Sequence, residues 1–239
     1  GDEVRHVVPA GTVLPAHRAL LVFGGGTPFT GTGCPVLPAG TVVQTASTGR
    51  LSLNNSGDTF RLTSADGAWS QLDSYASGAA EDQSLVRLPE LNPESEWTPH
   101  TSHPRAVAPY SPGRRAGGTL FEDDTPTTGD TGTTASSTDD SSDTSGDTGG
   151  STTTDSGDTA DSGTATTPST GEPEPLLFNE ILADPGPWDA NCDGEIDTSD
   201  DEFVEIVNQT AAIVDLSSAT LFDAVGARHV FPEGTEIGP

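Results

Sequence analysis

Between positions 189 and 200 the chain reads Asp189-Ala190-Asn191-Cys192-Asp193-Gly194-Glu195-Ile196-Asp197-Thr198-Ser199-Asp200. Asp189, Asn191 and Asp193 place side-chain oxygens at alternate positions 1, 3 and 5 of a twelve-residue loop. Gly194 at position 6 permits the sharp turn, Glu195 offers its backbone carbonyl, Asp197 binds directly or through water, and Asp200 closes the loop. This is the spacing with which hard oxygen ligands encircle Ca2+. Ile196, at position 8, stands where such loops carry an apolar anchor. The competing reading is an acidic surface turn that binds nothing, but it must hold Asp189, Asp193, Asp197 and Asp200 together without a counter-charge. The expected ligands are therefore Asp189, Asn191, Asp193, Glu195, Asp197 and Asp200. The expected cofactor is calcium, with the weak affinity of extracellular modules, a Kd on the order of 10⁻⁴–10⁻³ M.

The surroundings are wrong for the helix–loop–helix version of this motif. Pro185 and Pro187 precede it, a β-type run follows, and position 12 is Asp rather than Glu. The loop is expected to join two strands. Other constellations offer less. Gly24-Gly25-Gly26 and Gly31-Thr32-Gly33 suggest a phosphate cradle, but no Gly-Lys-Ser/Thr follows and no helix is in view, so they read as a hairpin tip. His17, His100 and His103 lack zinc spacing. A Ser/His/Asp triad can be assembled on paper, without a Gly-x-Ser-x-Gly elbow.

The elements that must position the loop are short β-type runs. Val42-Val43-Gln44, Leu51-Ser52-Leu53, Thr59 to Leu62, Trp69 to Tyr75 and Glu202 to Val207 are each bounded by Gly, Asn, Asp or Pro. In the last run Phe203 and Val207 share one face while Val204 and Ile206 share the other, which suits a strand covered on both sides. The 19 Pro, scattered along the chain, leave little room for a long helix. The expected fold class is all-β, a sandwich of short strands.

Not all of the 239 residues can belong to it. From Thr125 to Gly171 every residue is Ser, Thr, Asp, Gly, Ala or Pro, too little apolar surface to offset the entropy of ordering. Residues 121–172 read as a disordered, self-repelling acidic linker between a left flank, 1–120, and a right flank, 173–239. The whole chain carries 37 Asp+Glu against 9 Lys+Arg, all Arg. That balance disfavours nucleic acid and anionic membranes, both of which require clustered cations, and Arg114-Arg115 is too small a patch to change it. No apolar run approaches the roughly 18–20 residues of a membrane span.

The two flanks share a repeat. Residues 5–12 read RHVVPAGT and residues 228–235 read RHVFPEGT. His6 and His229 thus hold the same place, which favours a strand position over a metal site. The left flank carries the back part of a recurring unit, and the right flank carries its front part.

Set end to end, the two parts resemble the lamin tail domain family. The front part matches at Leu177-Phe178-Asn179-Glu180-Ile181, at Asp201 to Asn208, at Asp215-Leu216-Ser217 and at Leu221-Phe222-Asp223. The back part matches at Arg5 to Leu14, Leu20 to Phe23, Leu51 to Asp58, Phe60-Arg61-Leu62, Gly67, Asp73 to Tyr75 and the closing Ser111-Pro112-Gly113. One departure is Ala219, where the family usually has Trp. The resemblance implies an immunoglobulin-like β-sandwich. It also puts Glu180, Glu202 and Glu205 on strand positions, so a structural role is expected rather than the paired acids of a glycosidase.

The resemblance further implies a non-catalytic module, extracellular or at a bacterial cell surface, with a signal peptide outside this segment. It would serve attachment, spacing or binding of a protein or surface glycan, beside further copies of the same domain in the parent chain. The alternative is an accessory region of a secreted hydrolase or nuclease whose catalytic domain lies elsewhere. Each half of the unit carries one cysteine, Cys34 and Cys192. Either a disulfide ties the calcium loop to the glycine-rich segment or both are free thiols. Because the back half precedes the front half, residues 176–223 are expected to fold onto 1–120 as a circular permutant. One of the duplicated segments, 1–16 or 224–239, would then be displaced.

Overall fold

The computed structural model describes residues 2–76, 81–124 and 175–224. The linker expected at 121–172 lies almost wholly outside them, as does the second copy of the repeat at 228–235. The fold is all-β and sandwich-like. Among the described residues there are twelve strands: β1 (Asp2–Val7), β2 (Val13–Leu14), β3 (Ala19–Phe23), β4 (Val42–Thr45), β5 (Asp58–Thr63), β6 (Ser70–Tyr75), β7 (Leu85–Arg87), β8 (Trp97–Pro99), β9 (Leu176–Leu182), β10 (Phe203–Asn208), β11 (Val214–Asp215) and β12 (Thr220–Ala224). Helical structure among the described residues is confined to two 3-10 turns, His100–Ser102 and Phe121–Asp124. Among the described residues no helix is long and apolar enough to cross a membrane.

The strands form a four-stranded sheet in the order β1-β12-β5-β6, a six-stranded sheet in the order β4-β3-β10-β9-β7-β8, and a two-stranded pair β11-β2. Each sheet mixes strands from both sides of the Ser/Thr/Asp/Gly stretch. β10 pairs antiparallel with β3 on one side, Val204 opposite Val22, and with β9 on the other. β12 lies between β1 and β5.

Burial follows the strand pattern. All six residues of β10 are buried, so this central strand is covered on both faces. Val204 and Ile206 enter the main core with Leu20, Val22, Phe178 and Ile181 from their own sheet and with Phe60, Leu62, Tyr75 and Leu221 from the other. Phe60 and Phe178 meet edge to face across this core at 4.5 Å. Phe203 joins a smaller cluster with Leu21, Phe23 and Leu182 on the opposite face. Ala219 is buried in the main core.

Two local expectations give way. Leu51-Ser52-Leu53 is not a strand. Its leucines are buried, but Ser52 has φ 57°, which breaks the extended geometry that a ladder needs. The segment Gly24–Gly33 is not a hairpin tip either. β3 and β4 run parallel, so residues 24–41 form a crossover loop rather than a tight turn.

Candidate functional site

The acidic loop joins β9 to β10, and its backbone is wound around its own carboxylates. Asp189 accepts the amides of Asp193 (Oδ1, 3.0 Å) and Gly194 (Oδ2, 2.9 Å). Asn191 Oδ1 also accepts the Asp193 amide, at 3.0 Å, and Asp193 Oδ1 accepts that of Glu195 at 3.0 Å. Asp197 Oδ1 takes the amides of Ser199 and Asp200 at 2.8 and 3.1 Å, and these bonds hold its carboxyl below the usual range. Gly194 has φ 99°, a conformation open to glycine, which lets the chain reverse at position 6.

Of the six expected ligands, Asp189, Asn191, Asp193 and Asp200 are at least half-buried. Glu195 and Asp197 are exposed. Among the described residues no set of three or more His, Cys, Asp or Glu side chains is gathered as a metal cage. Each carboxylate oxygen that accepts one amide still keeps a lone pair for a further partner. The electrostatics leave such a partner wanted. The Asp200 carboxyl is pushed up by burial first, then by the charges of Asp197 and Asp193. Arg5–Asp223, Arg18–Glu122 and Arg87–Asp73 are ion pairs that lie elsewhere in the fold. The loop is oxygen-rich, negatively charged and wound around its own backbone amides. Ile196 departs from expectation: at 62% exposed it anchors nothing. With β-strands rather than paired helices on either side, there is no helix–helix core for it to enter.

The crossover loop presses against this acidic loop, and its glycines make the approach possible. A Cβ on Gly25 would lie 2.2 Å from Asp200 Oδ1, and one on Gly26 would lie 2.2 Å from Asp193 Oδ2. At Gly24 a Cβ would meet the Ser199 carbonyl. The amide of Thr27 donates to Asp193 Oδ2 at 3.0 Å, and the amides of Phe29 and Gly31 donate to the carbonyls of Asn191 and Cys192. Cys34 and Cys192 form a disulfide with Cα atoms 5.7 Å apart, so of the two readings of the cysteines the bridged one holds.

Asp201 is a positioning residue that sequence reasoning missed. Fully buried, it accepts the amides of Asn191 (Oδ1) and Asp197 (Oδ2), both at 2.9 Å, and thereby clamps both limbs of the loop. The doubled acid Asp200-Asp201 at the start of a strand was the available sign.

A second acidic cluster lies along the same two strands. Glu180 and Glu205 face each other across the β9–β10 ladder, and neither is exposed to solvent. Glu180 accepts from Ser84 Oγ (2.6 Å), from the Ser111 amide (2.8 Å) and from Ser111 Oγ (2.7 Å). Glu205 accepts from the Gly113 amide (2.6 Å) and from Asn179 Nδ2 (2.9 Å). The closing Ser111-Pro112-Gly113 is thus the lid over this pair. Burial pushes Glu180 up to about 7 and, reinforced by the Glu180 charge, pushes Glu205 well above the ordinary range.

His100 Nε2 lies 2.9 Å from Ser111 Oγ, which gives a Ser–His–Glu grouping. The carboxylate bonds the serine instead of orienting the imidazole, and all three side chains are buried, so no nucleophile faces a substrate. Burial lowers His100 to about 4 and keeps it neutral. Glu202, likewise buried and pushed up to about 8, bonds the Leu53 amide at 3.3 Å.

Comparison of the chain with protein-family models, with curated proteins and with solved structures finds no match.

Proposed function

We propose that this chain is a non-catalytic module of the lamin tail type, an immunoglobulin-like sandwich closed by its two flanks in permuted order, whose acidic loop is stabilised by calcium. It works outside the cell or at its surface, in attachment, spacing or binding of a protein or glycan, alongside further copies in the parent chain. The observation that carries this reading is the docking of the acidic loop onto the glycine segment by the Cys34–Cys192 bridge. A bridge of this kind belongs to an oxidising compartment, and millimolar calcium suits the affinity of such loops. Strand pairing between the flanks supports the permuted sandwich. The sealing of Glu180, Glu205 and His100 away from solvent supports a structural rather than a catalytic use of the buried acids.

Calcium would be held by Asp189, Asn191, Asp193 and Asp200, with the Glu195 carbonyl and Asp197 completing the set. The ion would contribute charge neutralisation to folding and no chemistry. At 5 mM Ca2+ mass action stabilises the folded state by about 1–2 kcal/mol for a Kd on the order of 10⁻⁴–10⁻³ M. Thermal melting in calcium and in chelator is the test. The midpoint of the intact chain should rise with calcium and that of Asp193→Ala should not. An absent shift, or an equal shift in both proteins, overturns the proposal.

A further inference from the structure

Where the chain leaves β7, a cavity of about 400 Å³ opens, the size of a small-ligand cleft. Three connecting segments wall it. The loop after β7 supplies Leu88, Pro89 and Glu90, the stretch after His100–Ser102 supplies His103 and Arg105, and the run toward Phe121 supplies Arg115. Its charge runs against that of the chain. From Trp97 to Phe121 there is no Asp or Glu, but there are three Arg and two His. A run this short cannot hold a polyanion. It suits a single carboxylate.

Glu90 is the one acid in the cavity wall, and its side chain is only 6% exposed. Its Oε1 accepts the Ala116 amide at 2.9 Å. Burial pushes the carboxyl up, while the Ala116 amide and the charge of Arg115 pull it back. Its Oε2 faces His103 Nε2 at 3.7 Å, too far for a hydrogen bond. His103 Nδ1 accepts the Arg105 amide at 3.2 Å, so the ring's proton sits on Nε2. A donor and an acceptor therefore stand side by side at the cavity without meeting. A hydroxyl group satisfies both, accepting from Nε2 and donating to Oε2.

Arg105 is exposed, and its stem lies against Gly117. A Cβ on Gly117 would sit 3.2 Å from that of Arg105, so the bare glycine permits this wall. The Arg105 guanidinium makes no hydrogen bond or ion pair with the described residues. Its planar fork matches a carboxylate through two parallel bonds. Arg115 points its guanidinium toward the carbonyls of Leu120 and Phe121, each at 3.4 Å, and adds charge. Leu88 and Pro89, both exposed, offer a C–H surface beside these polar groups. A phosphate dianion would face Glu90 at a cost. A neutral sugar would leave the arginines unused, and a bare carboxylate would leave His103 and Glu90 unbridged.

We propose that this cavity binds a sugar acid, a uronate whose carboxylate meets Arg105 and whose hydroxyl bridges His103 Nε2 and Glu90 Oε2. The proposal rests on reading the chain as a binding module and names the glycan chemistry it takes. The calcium shift in melting midpoint is read at other residues, so failure at the cavity leaves that result standing.

The full chain is titrated with sodium D-glucuronate, sodium acetate and D-glucose at constant ionic strength, and the amide resonances of Arg105 and Ala116 are followed by NMR. Glucuronate should give saturable shifts with a Kd on the order of 10⁻³ M, as expected of a ligand this small. Acetate has the carboxylate alone and glucose the hydroxyls alone, and each should bind about tenfold more weakly or worse, the worth of one charge-assisted hydrogen bond. Arg105→Gln should weaken glucuronate by a similar factor at an unchanged melting midpoint. Arg50→Gln, the same charge change at another exposed site, should leave the Kd as it is. Glu90→Gln should bring glucuronate down to the level of acetate. No saturable shift with glucuronate, equal binding of acetate or glucose, or undiminished binding in Arg105→Gln overturns the site. Undiminished binding in Glu90→Gln overturns the hydroxyl bridge.

Discussion

The strands β9 and β10 carry two groups of acids that solve one problem in two ways. Along the ladder Glu180 and Glu205 face each other out of reach of water, bonded to serines, to Asn179 and to the backbone of Ser111–Gly113. At the turn between the same strands Asp189, Asp193, Asp197 and Asp200 crowd a partly open loop. Burial makes the proton the cheapest neutraliser for the first group, because desolvation disfavours the charged carboxylate. The second group lies partly open to solvent, and its Asp200 carboxyl is raised first by burial and then by the charges of Asp197 and Asp193. Solvent access sets these two groups of identical side chains apart.

Removing the bridge should separate the two groups most strongly. Cys34 and Cys192 are 158 residues apart in sequence. In the chain-entropy account, opening a loop of that size costs about 5 kcal/mol, or a fall in melting midpoint of roughly 10–20 °C for a domain this large. Cys34→Ser/Cys192→Ser should show that fall and lose most of the calcium response. The pH dependence that comes from the buried pair should survive, and scanning calorimetry across pH reads both.

The buried pair should make the protein lose stability as pH rises. Each of these carboxyls keeps its proton in the folded state at a pH where the unfolded chain has given it up. Their contribution is therefore complete below the ordinary glutamate range and is lost as pH climbs through the folded values, about 7 for Glu180, with Glu205 likewise held well above the ordinary range. Glu205→Gln removes the ionisation and keeps a bonding scheme. Asn179 Oδ1 has no hydrogen-bond partner among the described residues and can accept the new amide. This variant should melt higher than the parent at pH 8, by about 1–4 kcal/mol in stability, and match it near pH 4.5. Equal melting at both pH values would refute the account.

Gly25→Ala probes the exposed group from its neighbour. The added Cβ would sit 2.2 Å from Asp200 Oδ1, so the crossover loop must retreat. The expected cost is about 1–3 kcal/mol, with a weakened calcium response and an unchanged pH slope in the same melting series. The smallest effect belongs to Ile196→Ser. An exposed side chain that anchors nothing should change stability by less than about 0.5 kcal/mol. A larger loss on chemical denaturation would restore its role as an anchor.

Strands with turn residues on both sides were legible in the sequence. Thr59 to Leu62 lies within β5, and Glu202 to Val207 overlaps β10, whose two apolar faces anticipate its central place. Leu51-Ser52-Leu53 misled because alternating burial does not require a strand. Ser52 turns back in the left-handed region and both leucines still reach the core. The loop's spacing gave Asp189, Asn191 and Asp193 as a group. It could not give Asp201, whose role depends on where β10 begins, nor the parallel course of β3 and β4 that brings Gly24–Gly26 against the acids. Contacts between segments far apart in sequence leave no local period to read.

The Cys34–Cys192 bridge encloses the whole of the Ser/Thr/Asp/Gly stretch in a covalent ring. A protease cutting anywhere in that stretch would convert one polypeptide into two without releasing either, since the bridge and the shared sheets still join them. Two fragments on a reducing gel and one intact particle in solution would be the mark of this molecule in a protease-rich medium. Damage to its longest uniform segment would then leave the paired sheets in working order.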